Sequence, residues 1–174
     1  GLPASPHTLS LQASRDGMRL LAAGDDGVVR IHDLEHRTTR QIADLRAPVQ
    51  ARFADGERTI VAFGGTRVAM IDAASGTRRE ITAAVPIDAL EVSGPIAYWV
   101  DHGGALWKLD LAGTVPLQVP VDEPVHDLAW SPDGRWIALA GAIHLLVADR
   151  TQPAQPPTPV MTGDTRALEW SADS

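Results

Sequence analysis

The sequence predicts an all-β protein built from a repeated four-stranded sheet. Three observations carry this: an aspartate recurring at a near-constant interval, tight-turn dipeptides between short β-rich runs, and no helical pattern. The aspartates are Asp33, Asp72, Asp110 and Asp149, spaced 39, 38 and 39 residues apart, and they close the runs VVRIHD, RVAMID, ALWKLD and LLVAD. A second marker, the aspartate of an earlier turn, stands at Asp16, Asp55, Asp133 and Asp173. Self-similarity at this period means that each copy is one supersecondary unit. No stretch of about ten residues is apolar at i, i+3, i+4 and i+7 without Gly or Pro, so no helix is expected.

The first unit, residues 8–45, opens with Leu9 and Leu11 alternating as in a strand, followed by the turn Ser14-Arg15-Asp16-Gly17 and the strand MRLLAAG. Gly24-Asp25-Asp26-Gly27 reverses the chain, because Asp-Gly favours the positive φ of hairpin turns. VVRIHDL is the third strand and TRQIADL a polar fourth, as an outer edge requires. The second unit, 46–83, repeats the plan with TIVAFG, RVAMID and RREIT; the third, 84–120, has AYWVD, ALWKLD and PLQV. The fourth, 121–161, is the clearest, VHDLAWSPDGRWIALAGAIHLLVAD, and its outer edge runs into TQPAQPPTP, whose prolines confine it to an edge or a loop. Residues 162–174 begin a fifth unit: Leu168, Trp170 and Asp173 align with Leu128, Trp130 and Asp133.

Composition narrows the function classes. Of 174 residues, 44% are hydrophobic but only 5% aromatic, so the core is aliphatic and rich in alanine. Fifteen basic against 22 acidic residues, a formal charge of −7, argue against a nucleic-acid binder, which needs a basic stripe to displace counterions. With no cysteine there are no disulfides, thiolate metal sites or Cys nucleophile. No apolar run approaches the roughly 18 residues of a membrane span, and no signal peptide is visible. The compartment is therefore open, with the cytoplasm favoured slightly over the periplasm. The chain starts at Gly1 without Met and stops within a repeat, which is expected of a piece of a longer protein. Lys108 is the one lysine, a bias that with abundant Ala, Gly and Pro suggests a bacterial source.

A four-stranded sheet of this size cannot bury both its faces alone, so neighbouring units must stack around a shared axis. That is a β-propeller: residues 1–174 are expected to be one partial propeller of four four-stranded antiparallel blades plus the first strand of a fifth, from a ring of about seven. The run Ser131-Pro132-Asp133-Gly134-Arg135-Trp136-Ile137-Ala138 and the run Asp26-Gly27-Val28-Val29-Arg30-Ile31-His32-Asp33 resemble WD-repeat and TolB-like β-propellers, with His32 where a WD repeat carries Trp. The family's structural network of His, Ser/Thr, Asp and Trp maps only in part. Asp26 matches its Asp position; Gly65, Gly103 and Ala142 do not.

The resemblance implies a loop face formed by the connections between blades and the turns between second and third strands. On it would lie Asp25, Asp26, Arg46, Arg67, Asp101, His102, Asp122 and Glu123, arginines on one half and acids on the other, a surface suited to a protein or peptide partner. The expected role is a non-enzymatic protein–protein interaction scaffold within a larger bacterial protein. The rivals are an accessory propeller of an enzyme, such as a prolyl-oligopeptidase-like serine peptidase or a kinase, and a periplasmic TolB-like component. No G-x-S-x-G, H-E-x-x-H, P-loop or calcium-loop string occurs, so no catalytic residue, metal or cofactor is assigned. His32 and His36 share a face only in a helix; His126 and His144 are expected to be satisfied structural histidines, and His102 is the best placed for contact. Trp130 and Trp170 fall in the slot of Phe53 and should pack between sheets, whereas Trp107, alternating with Leu106 and Leu109, is weighed as an outward-facing binding anchor against the default of packing.

Overall fold

The structure is a computed structural model and describes residues 7–152, 155–163, 165 and 168–171. Among the described residues sixteen strands form four antiparallel sheets, each with its strands in chain order or the reverse. The first sheet is β1 (Thr8–Ala13), β2 (Arg19–Gly24), β3 (Val28–Asp33) and β4 (Thr38–Asp44). The second is β5 (Gln50–Ala54), β6 (Thr59–Gly64), β7 (Arg67–Asp72) and β8 (Arg78–Thr82). The third is β9 (Ile87–Ser93), β10 (Ile96–Asp101), β11 (Leu106–Asp110) and β12 (Leu117–Val119). The fourth is β13 (Val125–Trp130), β14 (Trp136–Gly141), β15 (His144–Asp149) and β16 (Thr158–Thr162). The only helical element among the described residues is one 3₁₀ turn, Asp55–Glu57. The sheets fall into two compact units, Gly1–Ala84 and Val85–Ser174.

Strand position within a sheet sets composition. The second strands β2, β6 and β14 read LLAAG, IVAFG and IALAG because both their faces are covered, and their centres are buried throughout. Outer strands have no such cover: β8 alternates and β16 is exposed along its whole length. Pro159 sits on β16 opposite Leu146 next to a register shift, a place where a missing N–H costs the sheet nothing.

In the first unit one core joins both sheets, from Leu21, Val29 and Ile31 to Phe53, Ile60 and Ile71. Arginines tie the sheets around that core. Arg40 of β4 donates to the carbonyls of Ala73 and Ala74, and Arg78 donates to Asp44 O at 2.9 Å. Glu57 of the 3₁₀ turn accepts from Arg15 N at 2.5 Å and pairs with the Arg19 guanidinium. In the second unit the corresponding core is Val100, Leu106, Val125, Leu128, Leu139 and their neighbours, flanked by Tyr98 edge-on to Trp130 at 5.3 Å.

The aspartate period has a local cause. Asp33, Asp72, Asp110 and Asp149 each cap the turn after a third strand, accepting from the backbone N–H of His36, Ala74 and Ser75, Ala112, and Thr151 respectively. The earlier turn is equally specific. Ser14 and Ser131, both buried, donate to Asp16 and Asp133 at 2.6 Å and accept from the N–H of Arg19 and Trp136 at 2.9 Å. Asp55 departs from this pattern: its turn is the 3₁₀ segment that presents Glu57 to the first sheet.

Within each unit, the inner strand of one repeat bonds to the opening of the next in the same register at one junction. Ser10 and Gln12 side chains accept from the N–H of Ala51 and Phe53 at 2.9 and 2.6 Å. In the second unit Asp127 accepts from Leu168 N at 3.3 Å, and Trp170 donates its indole N–H to Ala129 O at 3.0 Å, each pair again 41 residues apart. The opening of the fifth repeat thus lies along β13; the described residues 168–171 carry no strand ladder of their own, and Asp173 lies outside the described residues.

Two outcomes follow from these turns. Gly17 has φ +73° with open space at its missing Cβ, whereas Gly27 has φ +76° and a Cβ there would lie 2.5 Å from Ala47 N. Gly17→Ala should therefore cost about 1 kcal/mol for the left-handed backbone alone, and Gly27→Ala clearly more, read by urea unfolding.

The second outcome concerns acid. The Ser14 hydroxyl holds Asp16 below the usual carboxylate range, the Ser131 hydroxyl does so for Asp133, and Arg135 lowers Asp149 further. Because folded values lie below the unfolded 3.8, their stabilisation is complete above that pH and is lost as pH falls through the folded values. Thermal melts should be level near neutrality and drop below about pH 4, and the Ser14→Ala/Ser131→Ala double variant should show a shallower acid slope.

Candidate functional site

In each unit the segment entering an inner strand is bonded to the turn between second and third strands. In the first unit Asp25 N donates to His7 O at 3.0 Å, Leu45 N to Gly27 O at 2.8 Å and Val49 N to Gly24 O at 3.1 Å. In the second, His102 N donates to Pro86 O, Val125 N to Gly104 O and Ala142 N to Pro124 O, all within 2.8–2.9 Å. The glycines at these crossings allow backbones to touch: a Cβ on Gly104 would stand 2.6 Å from that of Pro124. Connections and turns therefore gather at one end of the strands within each unit.

The eight expected site residues divide into anchors and accessible groups. Asp26 accepts from Val28 N at 3.0 Å and Arg30 at 2.6 Å, and Arg30 holds its carboxyl below the usual range. Arg67 is half-buried and donates to Leu45 O at 2.7 Å. Asp101 is only 5% exposed and accepts three N–H groups, from Gly103, Ala105 and the Trp107 indole, at 2.9, 3.0 and 2.8 Å. Glu123 accepts from Ile143 N and His144 N and meets His144 Nδ1 at 2.8 Å. Burial opposes ionisation of Glu123, but these donors outweigh it and lower its carboxyl. These four are spent on the turns.

The remaining four face solvent. Asp25 pairs with the exposed His7 at 2.9 Å, and His102 lies 3.2 Å from Asp88 with its ring 77% exposed. Arg46, at φ 55°, and Asp122 are exposed, and their side chains have no hydrogen-bond or ion-pair partner among the described residues. In the first unit Arg46 adjoins the Gly27 turn and hence Asp25; in the second, Asp122 lies in the connection bonded to the turn that carries His102.

Two sequence expectations are corrected. Trp107 does not project outward: it is half-buried, stacks on Trp99 with ring centres 6.4 Å apart and is fixed by Asp101, so indole planarity and a buried carboxylate have turned it inward. His126, expected to be a satisfied structural histidine, is exposed on β13, while His144 is half-buried and paired as expected. Trp130 packs against Tyr98 as its slot suggested. Among the described residues no three His, Asp or Glu side chains converge on a metal-sized site, and no helix is long and apolar enough to cross a membrane.

The family model "WD domain, G-beta repeat" matches residues 5–33 and 116–150. Solved structures add the fold: the Cps50 (Swd1) β-propeller domain of Myceliophteria thermophila superposes with a TM-score of 0.76 at 16% identity, over 94% of this chain and 57% of that one. The fold is that of a partial β-propeller, and the two matched segments are similar to WD repeats. A chain of the mitotic checkpoint complex is also similar, TM-score 0.71 at 17% identity, over 91% of this chain and 51% of that one. So is dihydro-heme d1 dehydrogenase NirN, TM-score 0.70 at 18% identity, over 95% and 38%. The chain spans between 38% and 57% of the length of these structures. No curated protein sequence matches it.

One interaction recurs among the blades. Three of them join the start of the blade to its second turn with a histidine and a carboxylate, but the order changes: His7 with Asp25, Asp88 with His102, and Glu123 with His144. In the third blade the carboxylate that organises the turn is Asp101, two positions before Gly103, so a position-by-position motif match passes over it. Asp101→Ala should lower unfolding stability by about 2–3 kcal/mol, since three N–H donors lose a charged acceptor. His102→Ala should stay within about 0.5 kcal/mol; both are read by chemical denaturation.

Proposed function

We propose that this chain is part of a larger propeller, of about seven blades, that acts as a non-enzymatic scaffold for protein–protein contacts in a bacterial protein. The observation that carries the reading is the division of labour at the loop ends. Asp26, Arg67, Asp101 and Glu123 rigidify the turns, while Asp25 and Arg46 in one unit and His102 and Asp122 in the other remain presented to solvent. Polar side chains held on pre-ordered loops lose little entropy on docking, which is what a recognition surface needs. Mixed charge at these ends favours a partner of complementary pattern over a uniformly charged polymer. The similarity to a chain of the mitotic checkpoint complex, an assembly, is in keeping with this role.

A second reading is an accessory propeller beside a catalytic domain, of the serine-peptidase or kinase kind, and a third is a periplasmic TolB-like component. One similar structure, NirN, is a dehydrogenase, which favours keeping an enzymatic context in view. The discriminating experiment compares capture of partners by the parent protein with and without Arg46→Glu and Asp122→Arg. Loss of the same captured species at unchanged melting temperature supports the scaffold reading. Full capture by both variants, together with turnover that depends on the propeller, supports the second.

A further inference from the structure

The second unit holds a cleft between its third and fourth blades. Tyr98, Lys108, Trp130, Arg150, Gln152 and Gln155 line it above an apolar floor of Ile137 and Leu139, and it encloses about 50 Å³. That space is far below the roughly 300 Å³ of a small-molecule or cofactor pocket, and suits one side-chain head group with its neighbouring methylenes.

Its charge is opposite to that of the protein. The chain carries −7 overall, yet the cleft gathers the single lysine and Arg150, and neither side chain has a hydrogen-bond or ion-pair partner among the described residues. Arg150 is placed by its backbone N–H, bonded to Arg135 O at 2.9 Å, and its Nη1 reaches to 3.6 Å from the Cβ position of Gly94 on the third blade. Lys108 stands on β11 opposite Tyr98 on β10. The one carboxylate at the cleft, Asp149, is already engaged by Arg135 at 2.9 Å and by Thr151 at 2.7 and 2.8 Å, and its side chain is 7% exposed. It leaves Lys108 and Arg150 unneutralised. Burial raises the Tyr98 phenol and the Arg150 charge works against that rise, which puts the guanidinium within electrostatic reach of the ring. The Trp130 indole N–H is buried without an acceptor.

We propose that this cleft receives the carboxylate side chain of an acidic peptide partner, with the carboxylate shared by Lys108 and Arg150 and its methylenes packed between Tyr98 and Trp130. A planar carboxylate matches the guanidinium fork, aromatic walls shelter the aliphatic stem, and the Gln152 and Gln155 amides can bond a peptide backbone at the rim. The site is separate from Arg46, His102 and Asp122, so it stands or falls independently of the loop-end reading.

Lys108 is the one lysine of this sequence, so lysine-selective ¹³C labelling with a Lys108→Arg control assigns its side-chain signal. The chain is titrated with a short capped peptide carrying one central Glu, with its Gln counterpart, with a phosphoserine counterpart and with inorganic phosphate. The expected result is a saturable Lys108 shift with the Glu peptide, weakened by added salt and by about tenfold in Arg150→Gln, the loss of one charge-assisted bond. The Gln peptide should leave the signal in place. Arg46→Glu and Asp122→Arg should leave the Glu titration unchanged, and Arg150→Gln should melt as the parent does. No saturable shift, an equal response to the Gln peptide, loss of binding in the loop-end variants, or tighter binding of phosphate or the phosphoserine peptide would each overturn the proposal.

Discussion

A four-stranded sheet of about forty residues has two apolar faces and no layer of its own to cover them. Everything else in this protein answers that constraint. The second strand of a blade is buried on both sides, hence the unbroken apolar runs of β2, β6 and β14, where single-faced sheets would alternate. Alanine is frequent at these places because facing sheets approach closely enough that a larger side chain would overpack them. Where the cores end, the two units use different chemistry to hold blade to blade. Arginines clasp main-chain carbonyls in the first, and the Tyr98–Trp130 pair packs in the second.

Close stacking leaves the hairpin turns as the places where backbone amides lack ladder partners. Carboxylates and buried hydroxyls satisfy them: aspartates after each third strand, serine–aspartate pairs after the first strands of the first and fourth blades, Asp101 and Glu123 at the loop ends. An ionised acceptor for a turn amide is stronger than a neutral one and fixes the local backbone. The functional consequence is indirect. By immobilising the turns, these groups let a few other side chains stand in solvent in defined positions without belonging to the framework.

The same logic explains why charge in this chain is unevenly distributed. Many of the acids are consumed as turn acceptors, Asp16, Asp26, Asp33, Asp72, Asp101, Asp133 and Asp149 among them. The cations near them are consumed too, Arg30 by Asp26 and Arg135 by Asp149, with Arg135 also lying over the Trp136 ring at 4.6 Å. Among the described charges that stay uncommitted are Arg46 and Asp122 at the loop ends and Lys108 and Arg150 in the inter-blade cleft.

How much of this was legible in advance depends on the range of each interaction. The repeat, its turns and its strand order were readable from residue types alone. They rest on contacts within a few positions, such as Ser131 with Asp133 and Trp136, or Asp72 with Ser75, so their chemistry must recur in the chain itself. The loop ends were legible as a location but not as roles. Whether Asp101 is a ligand-facing acid or a buried acceptor depends on an indole six residues on, and whether Arg67 is free depends on the Leu45 carbonyl of the preceding connection. The cleft could not be read at all, beyond the oddity of a lone lysine. Tyr98, Lys108, Trp130 and Arg150 come from two blades and meet only because those blades stack. The chain alone therefore determined the periodic all-β architecture, through short-range hydrogen bonds and alternating burial. Tertiary packing decided which charges stay available to a partner, because neutralising a charge requires a neighbour that only the folded arrangement supplies.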